Sequence, residues 1–152
     1  MIDLLTLSVG IGLVVSLFFS EVFGIAAGGM IVPGYLALRL NHPLDVALTI
    51  GVGLVTFAIV RASSSFVIIY GRRRTVAMIL FGYLIGAFVR ATIATVPGPT
   101  GEGVQVIGFI IPGLIAIWLD RQGVIETITS LVTASVVVRL LLVVFAGLEY
   151  GQ

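Results

Sequence analysis

The feature that most limits what this chain can fold into is a series of six apolar segments, residues 4–20, 25–38, 44–70, 76–96, 104–119 and 124–148, joined by short connections. A helix needs about 20 apolar residues to cross a bilayer core. The second and fifth segments are short for that, and the other four are not. The connections are polar or rich in turn formers: Asn41-His42-Pro43, residues 71–74, Pro97-Gly98-Pro99-Thr100-Gly101 and residues 120–123. None leaves room for a soluble domain. With 59% hydrophobic and only 10% charged residues, and a mean hydropathy of +1.26, the chain is composed for lipid.

Arginine placement orients the spans, because short cytoplasmic loops collect positive charge. Arg72, Arg73 and Arg74 fix one loop inside. With six crossings, the loop holding Asp120 and Arg121 is also inside, Asp3, Asp45, Glu102 and Glu149 fall outside, and only Arg39 runs against the pattern. If the two short segments re-enter instead of crossing, four spans remain and both termini are cytoplasmic; six crossings are the preferred reading. Asp3 stands where a secretory signal would carry positive charge, and no small-residue cleavage site follows, so the first segment is expected to be retained.

The two halves resemble each other. Residues 29–38 (Gly-Met-Ile-Val-Pro-Gly-Tyr-Leu-Ala-Leu) align with residues 108–117 (Gly-Phe-Ile-Ile-Pro-Gly-Leu-Ile-Ala-Ile) at an offset of 79, each between two longer apolar segments. The expectation is an all-α integral membrane protein. One membrane domain, 1–152, holds a duplicated three-segment unit, with repeat halves 1–74 and 75–152. Three crossings per half make the repeat inverted.

Proline removes a backbone donor and pushes the residue before it out of the α region, so Pro33-Gly34 and Pro112-Gly113 are expected to break their helices. A half-helix starting at each proline points its partly positive end at the break, which suits a carboxylate or phosphate. The same dipeptide is also a kink that lets helices pack closely, and both readings stand. Of the Gly-x-x-x-Gly pairs, only Gly82 and Gly86 lie in mid-helix, where they mark a close helix face.

Arg61, Arg90 and Arg139 sit inside apolar segments, where an unpartnered charge costs about 2.5–3.5 kcal/mol even on lenient scales. Glu21 is the acid best placed to help, so three cations face one anion. Arg61 and Arg139 lie 78 residues apart, in nearly equivalent places in the two halves. At about 1.5 Å per residue, Arg61 is roughly 14 Å from Tyr70, and Arg139 roughly 22 Å from the start of its helix. Together with Arg90, Glu21 and the two Pro-Gly breaks, they are the candidates for a path taken by a polyanion. The bland alternative is snorkelling to headgroups and pairing with carbonyls. Asp120 and Glu126 flank a turn and read as solvated, and His42 as a lone exposed loop residue.

The net charge of +1 offers no basic surface for nucleic acid, and every basic residue is arginine. There is no cysteine, no close carboxylate pair, no histidine cluster and no phosphate loop, so neither a metal site nor catalysis is expected of this chain alone.

Ser20-Glu21-Val22-Phe23-Gly24-Ile25, the Val-Pro-Gly-Tyr-Leu core of 29–38, Tyr70-Gly71-Arg72-Arg73-Arg74, and 107–117 followed by Arg121-Gln122-Gly123 are together similar to the membrane subunit of poly-γ-glutamate synthases, the PgsC/CapC family. The third arginine of the cluster and the long loop 97–103 depart from that pattern. The resemblance implies a non-catalytic subunit in the bacterial plasma (inner) membrane, supporting synthesis or passage of a γ-linked glutamate polymer during capsule formation. It implies a cytoplasmic Mur-ligase-like amide ligase of the PgsB/CapB type, which would hold ATP and magnesium, and a surface-facing subunit of the PgsA/CapA type. Arg72, Arg73, Arg74 and Arg121 are the candidate docking residues, and a homo-oligomer is open. The alternatives are a stand-alone anion channel or carrier, and a passive anchor for the ligase.

Overall fold

The computed structural model of the protein describes residues 3–93 and 106–149, with side chains through Gly147. The loop 97–103 with Glu102, and the side chain of Glu149, lie outside the described residues. Among the described residues six helices follow in order: α1 (Leu4–Phe23), α2 (Val32–Leu38), α3 (Pro43–Phe66), α4 (Arg72–Ile93), α5 (Ile111–Gln122) and α6 (Val124–Glu149). No strand occurs among the described residues. α1, α3, α4 and α6 are each long and apolar enough to cross a membrane, and α2 and α5, with 7 and 12 residues, are not.

Local chemistry sets several of these boundaries. α1 stops where Gly24 turns left-handed (φ 65°) and its N–H reaches back to the Ser20 carbonyl, the glycine-terminated helix end. α3 opens on Pro43, whose missing N–H is no loss in a first turn, and the buried Asp45 faces the positive end of that helix. α3 ends at Phe66 rather than Tyr70, so Arg61 lies only five residues from its end, roughly 7 Å along the axis.

Both short segments differ from the expected form. They are not helices broken at proline. Residues 24–31 and 106–110 are non-helical, and helix begins only at Val32 and Ile111, with the proline in the first turn. In the first copy, Gly24, Gly28 and Gly29 all take positive φ, which stops a helix from forming ahead of the proline; Gly108 does the same in the second.

The chain packs as two compact units, 1–41 with 122–152, and 42–121. In the first unit the stretch from Ala26 to Leu38 runs back along α1: Ser16 meets Gly29, and Gly12 and Ser8 meet Gly34. α6 runs beside that return in the same direction, Ser130 at Ala26, Leu131 at Gly28 and Arg139 at Ala37. Val15, Ala27, Ala37, Ala134, Val138 and Leu142 form its core.

The second unit repeats the plan. The return 106–121 runs back along α4, with Arg90 at Val106 and Gly108, and Gly82 and Met78 at Gly113. α3 runs beside it, Thr49 at Ile107 and Gly53 at Ile115. Val60, Met78, Ala116 and Ile117 form the core. The compact units therefore cut across the sequence halves: α3, from 1–74, packs with α4 and α5, and α6, from 75–152, packs with α1 and α2.

Candidate functional site

Opened backbone inside an apolar protein needs partners for its N–H and C=O groups. In the first unit, neutral side chains supply them. Gln122 accepts from the Ala26 N–H through Oε1 (3.1 Å) and donates to its carbonyl through Nε2 (2.6 Å). Ser130 also donates to the Ala26 carbonyl (3.1 Å), and Ser16 to that of Gly29 (3.1 Å).

In the second unit a charge does part of this. Arg90 donates to the carbonyls of Val106 (2.5 Å) and Gly108 (3.3 Å), with its guanidinium 4.1 Å from the Phe109 ring centre. The buried Thr49 hydroxyl accepts the Ile107 N–H (2.9 Å). Carbonyl oxygens and an aromatic face thus surround Arg90, the arrangement in which a membrane cation is held by the protein itself.

The Pro-Gly motifs sit at the tightest helix crossings. A methyl carbon added at Gly34 would lie 2.8 Å from the Ser8 carbonyl oxygen, and one at Gly113 would lie 2.8 Å from the Ile79 Cα. On the facing helices, Gly12 and Gly82 have as little room, 2.8 Å from Gly34 and 2.6 Å from Gly113. Pro33, Gly34, Pro112 and Gly113 are all buried. Close backbone approach is the observed use of the glycines.

The other arginines divide by surroundings. Arg139 is half-buried and donates to the Ala37 carbonyl (3.4 Å) and to Asn41 Oδ1 (3.0 Å) at the end of α2. Arg61 is exposed, 5.7 Å from the Phe57 ring centre. Glu21 is exposed near the end of α1.

Charge gathers at a cavity of about 410 Å³ where α4 begins and α5 ends, lined by Arg72, Arg74, Thr75, Asp120, Arg121, Met78 and Ile117. Arg74 forms an ion pair with Asp120. This corrects the reading of Asp120 as solvated: the return of α5 along α4 carries it to the arginine cluster. Glu126 is exposed. Arg121 lies 5.8 Å from the Trp118 ring centre. Three of the four arginines read as a docking group therefore share one cavity. Arg73 is exposed and does not line it. The pairing of Asp120 with an arginine 46 residues earlier has no local sequence signal.

A family model described as capsule biosynthesis CapC matches residues 11–128, a stretch that includes both Pro-Gly motifs, Arg72 to Arg74 and Arg121. The chain is 39% identical over 121 residues to the PGA biosynthesis protein CapC of Bacillus subtilis (strain 168), covering 79% of this chain and 80% of that one. It is 36% identical over 126 residues to the capsule biosynthesis protein CapC of Bacillus anthracis, covering 82% and 84%. No solved structure matches it. With a family match through most of its length and two relatives aligned over four-fifths of theirs, this chain, with its four helices long and apolar enough to cross a membrane, belongs to the capsule biosynthesis CapC family.

Proposed function

We propose that the chain is the membrane subunit of a capsule polymer synthase that makes poly-γ-glutamate, working in the plasma membrane with a cytoplasmic ATP-dependent amide ligase and a surface-facing subunit. The observation that carries this reading is the family match over residues 11–128, a stretch that holds both opened segments and the arginine cluster, together with the relative named for PGA biosynthesis. The chain itself supplies no catalytic group in this reading; the ligase binds ATP and magnesium.

Six crossings fit the packing inside each unit. Each return runs back along the helix before it, from the Ser16–Gly29 level to the Ser8–Gly34 level in one unit and from Arg90 to Arg74 in the other. A short helix preceded by extended residues covers more length than its residue count suggests, because extended backbone rises about 3.3 Å per residue against 1.5 Å in helix. In this topology the repeat is inverted, and Arg72 to Arg74 and Arg121 lie on the cytoplasmic side, the side from which the ligase docks.

Arg61, Arg90, Arg139 and Glu21 belong to the polymer route in this proposal, since each residue of the product carries a carboxylate. Arg61 is exposed, and Arg90 and Arg139 are half-buried. A passive anchor is the second reading, and the burial of both Pro-Gly motifs at helix crossings favours it.

Detergent pull-down of the tagged chain from its native membrane, with mass spectrometry of what accompanies it, tests the proposal. The expected companion is an ATP-dependent amide ligase. Recovery of the chain with no partner but copies of itself would overturn the synthase reading in favour of an anion channel or carrier.

A further inference from the structure

We infer that the cavity lined by Arg72, Arg74, Thr75 and Arg121 is a headgroup site for an anionic phospholipid. This goes beyond the synthase reading and does not rest on it.

Charge is the first argument. The cavity holds three guanidiniums and one carboxylate, two positive charges in excess, at the end of α4 whose dipole adds to them. Asp120 is spent on Arg74, which fixes that side chain, while Arg72 and Arg121 have exposed side chains at the rim. Guanidiniums match the oxygens of a phosphate in pairs, and the Thr75 hydroxyl adds a donor.

Apolar surroundings decide between a lipid and a free anion. Met78 and Ile117 are part of the cavity lining. The chain leading into the cavity carries Phe66, Ile68 and Tyr70 at 91%, 78% and 77% exposure, immediately before Gly71 and Arg72. A phospholipid covers them with its acyl chains while its phosphate meets the arginines, the pairing of basic cavity and membrane edge by which anionic lipids are held. Arg73, exposed and outside the cavity, stays available for a protein partner.

The test uses the purified full chain in detergent micelles, given phosphatidylglycerol or phosphatidylcholine, with bound lipid counted by native mass spectrometry. The expected result is retention of phosphatidylglycerol over phosphatidylcholine by roughly tenfold or more, from two excess cations at about a kcal/mol each. R72Q/R121Q should abolish the preference, R72K/R121K keep most of it, and R73Q leave it unchanged. If the double glutamine variant does not fold, R121Q alone, a change at an exposed side chain, carries the comparison. Equal retention of the two lipids by the native chain would overturn the inference. So would a preference that survives loss of Arg72 and Arg121, or displacement of the lipid by inorganic phosphate at matched ionic strength, which would assign the cavity to a soluble anion.

Discussion

Gly82 of α4 lies against Gly113 of α5 so closely that a methyl carbon added at Gly82 would stand 2.6 Å from the Gly113 Cα, and Gly12 and Gly34 repeat this at 2.8 Å in the other unit. The contact is backbone to backbone, so no side chain can swing aside to relieve it. Dispersion across such a contact does in an apolar protein what exclusion of water does in a soluble one.

Gly82→Ala and Gly34→Ala should therefore each lower stability by about 1–3 kcal/mol through overpacking. Gly51→Ala, on α3 where an added methyl meets nothing within 4 Å, should be neutral or slightly stabilising. Thermal unfolding in one detergent compares all three. Equal losses at Gly82 and Gly51 would mean that the crossing is looser than the geometry says.

Thr49→Val keeps the shape of the side chain and removes the acceptor of the Ile107 N–H. The expected cost is about 1–3 kcal/mol, the penalty of a buried donor left unmet. Hydrogen exchange at Ile107 should accelerate while exchange in the first unit stays as it was.

Arg90→Gln should be tolerated better than Arg90→Leu, because an amide can still donate to the Val106 or Gly108 carbonyl and leucine cannot. The readout is the fraction of protein recovered folded after solubilisation. If instead both variants fold normally and polymer outside the cells falls, Arg90 serves the route rather than the return segment.

Arg74 and Asp120 form a pair in partly buried surroundings, so a double-mutant cycle of R74Q and D120N should show coupling of about 0.5–3 kcal/mol. Either single change leaves a charge without its partner and should cost more than the double change implies.

Arg61→Ala and Arg139→Ala should reduce extracellular polymer several-fold with the complex intact, if these residues meet the polymer's carboxylates on the way out. Arg139→Ala should also cost stability, since Ala37 and Asn41 lose a donor, whereas the exposed Arg61 should not. Unchanged secretion in both would end the route proposal and leave the anchor.

What could be read from the chain follows the range of the interaction. Apolar length predicts α1, α3, α4 and α6, and the proline in each repeated motif predicts where α2 and α5 start, because both signals act within a turn. The non-helical approach to each proline depends on φ at Gly24, Gly28, Gly29 and Gly108, and glycine permits those angles without demanding them. Gly82 was recognisable from its spacing to Gly86, but Gly12 is one of 19 glycines and gains meaning only when Gly34 comes to rest on it. Gln122 and Ser130 reach Ala26 across about a hundred residues, and nothing in their neighbourhoods announces it.

The interleaving of the units bears on how the protein is made. Residues 42–121 are continuous, so every helix of that unit has been synthesised before α6 exists. α1 and α2 emerge first yet are completed last, since the Ala26 carbonyl receives Ser130 and Gln122 only from the far end of the chain. Until then, the Ala26 N–H and carbonyl lack the side-chain partners that they have in the folded chain. Loss of the C-terminal helix would accordingly injure the N-terminal ones first, while the middle of the protein stood complete.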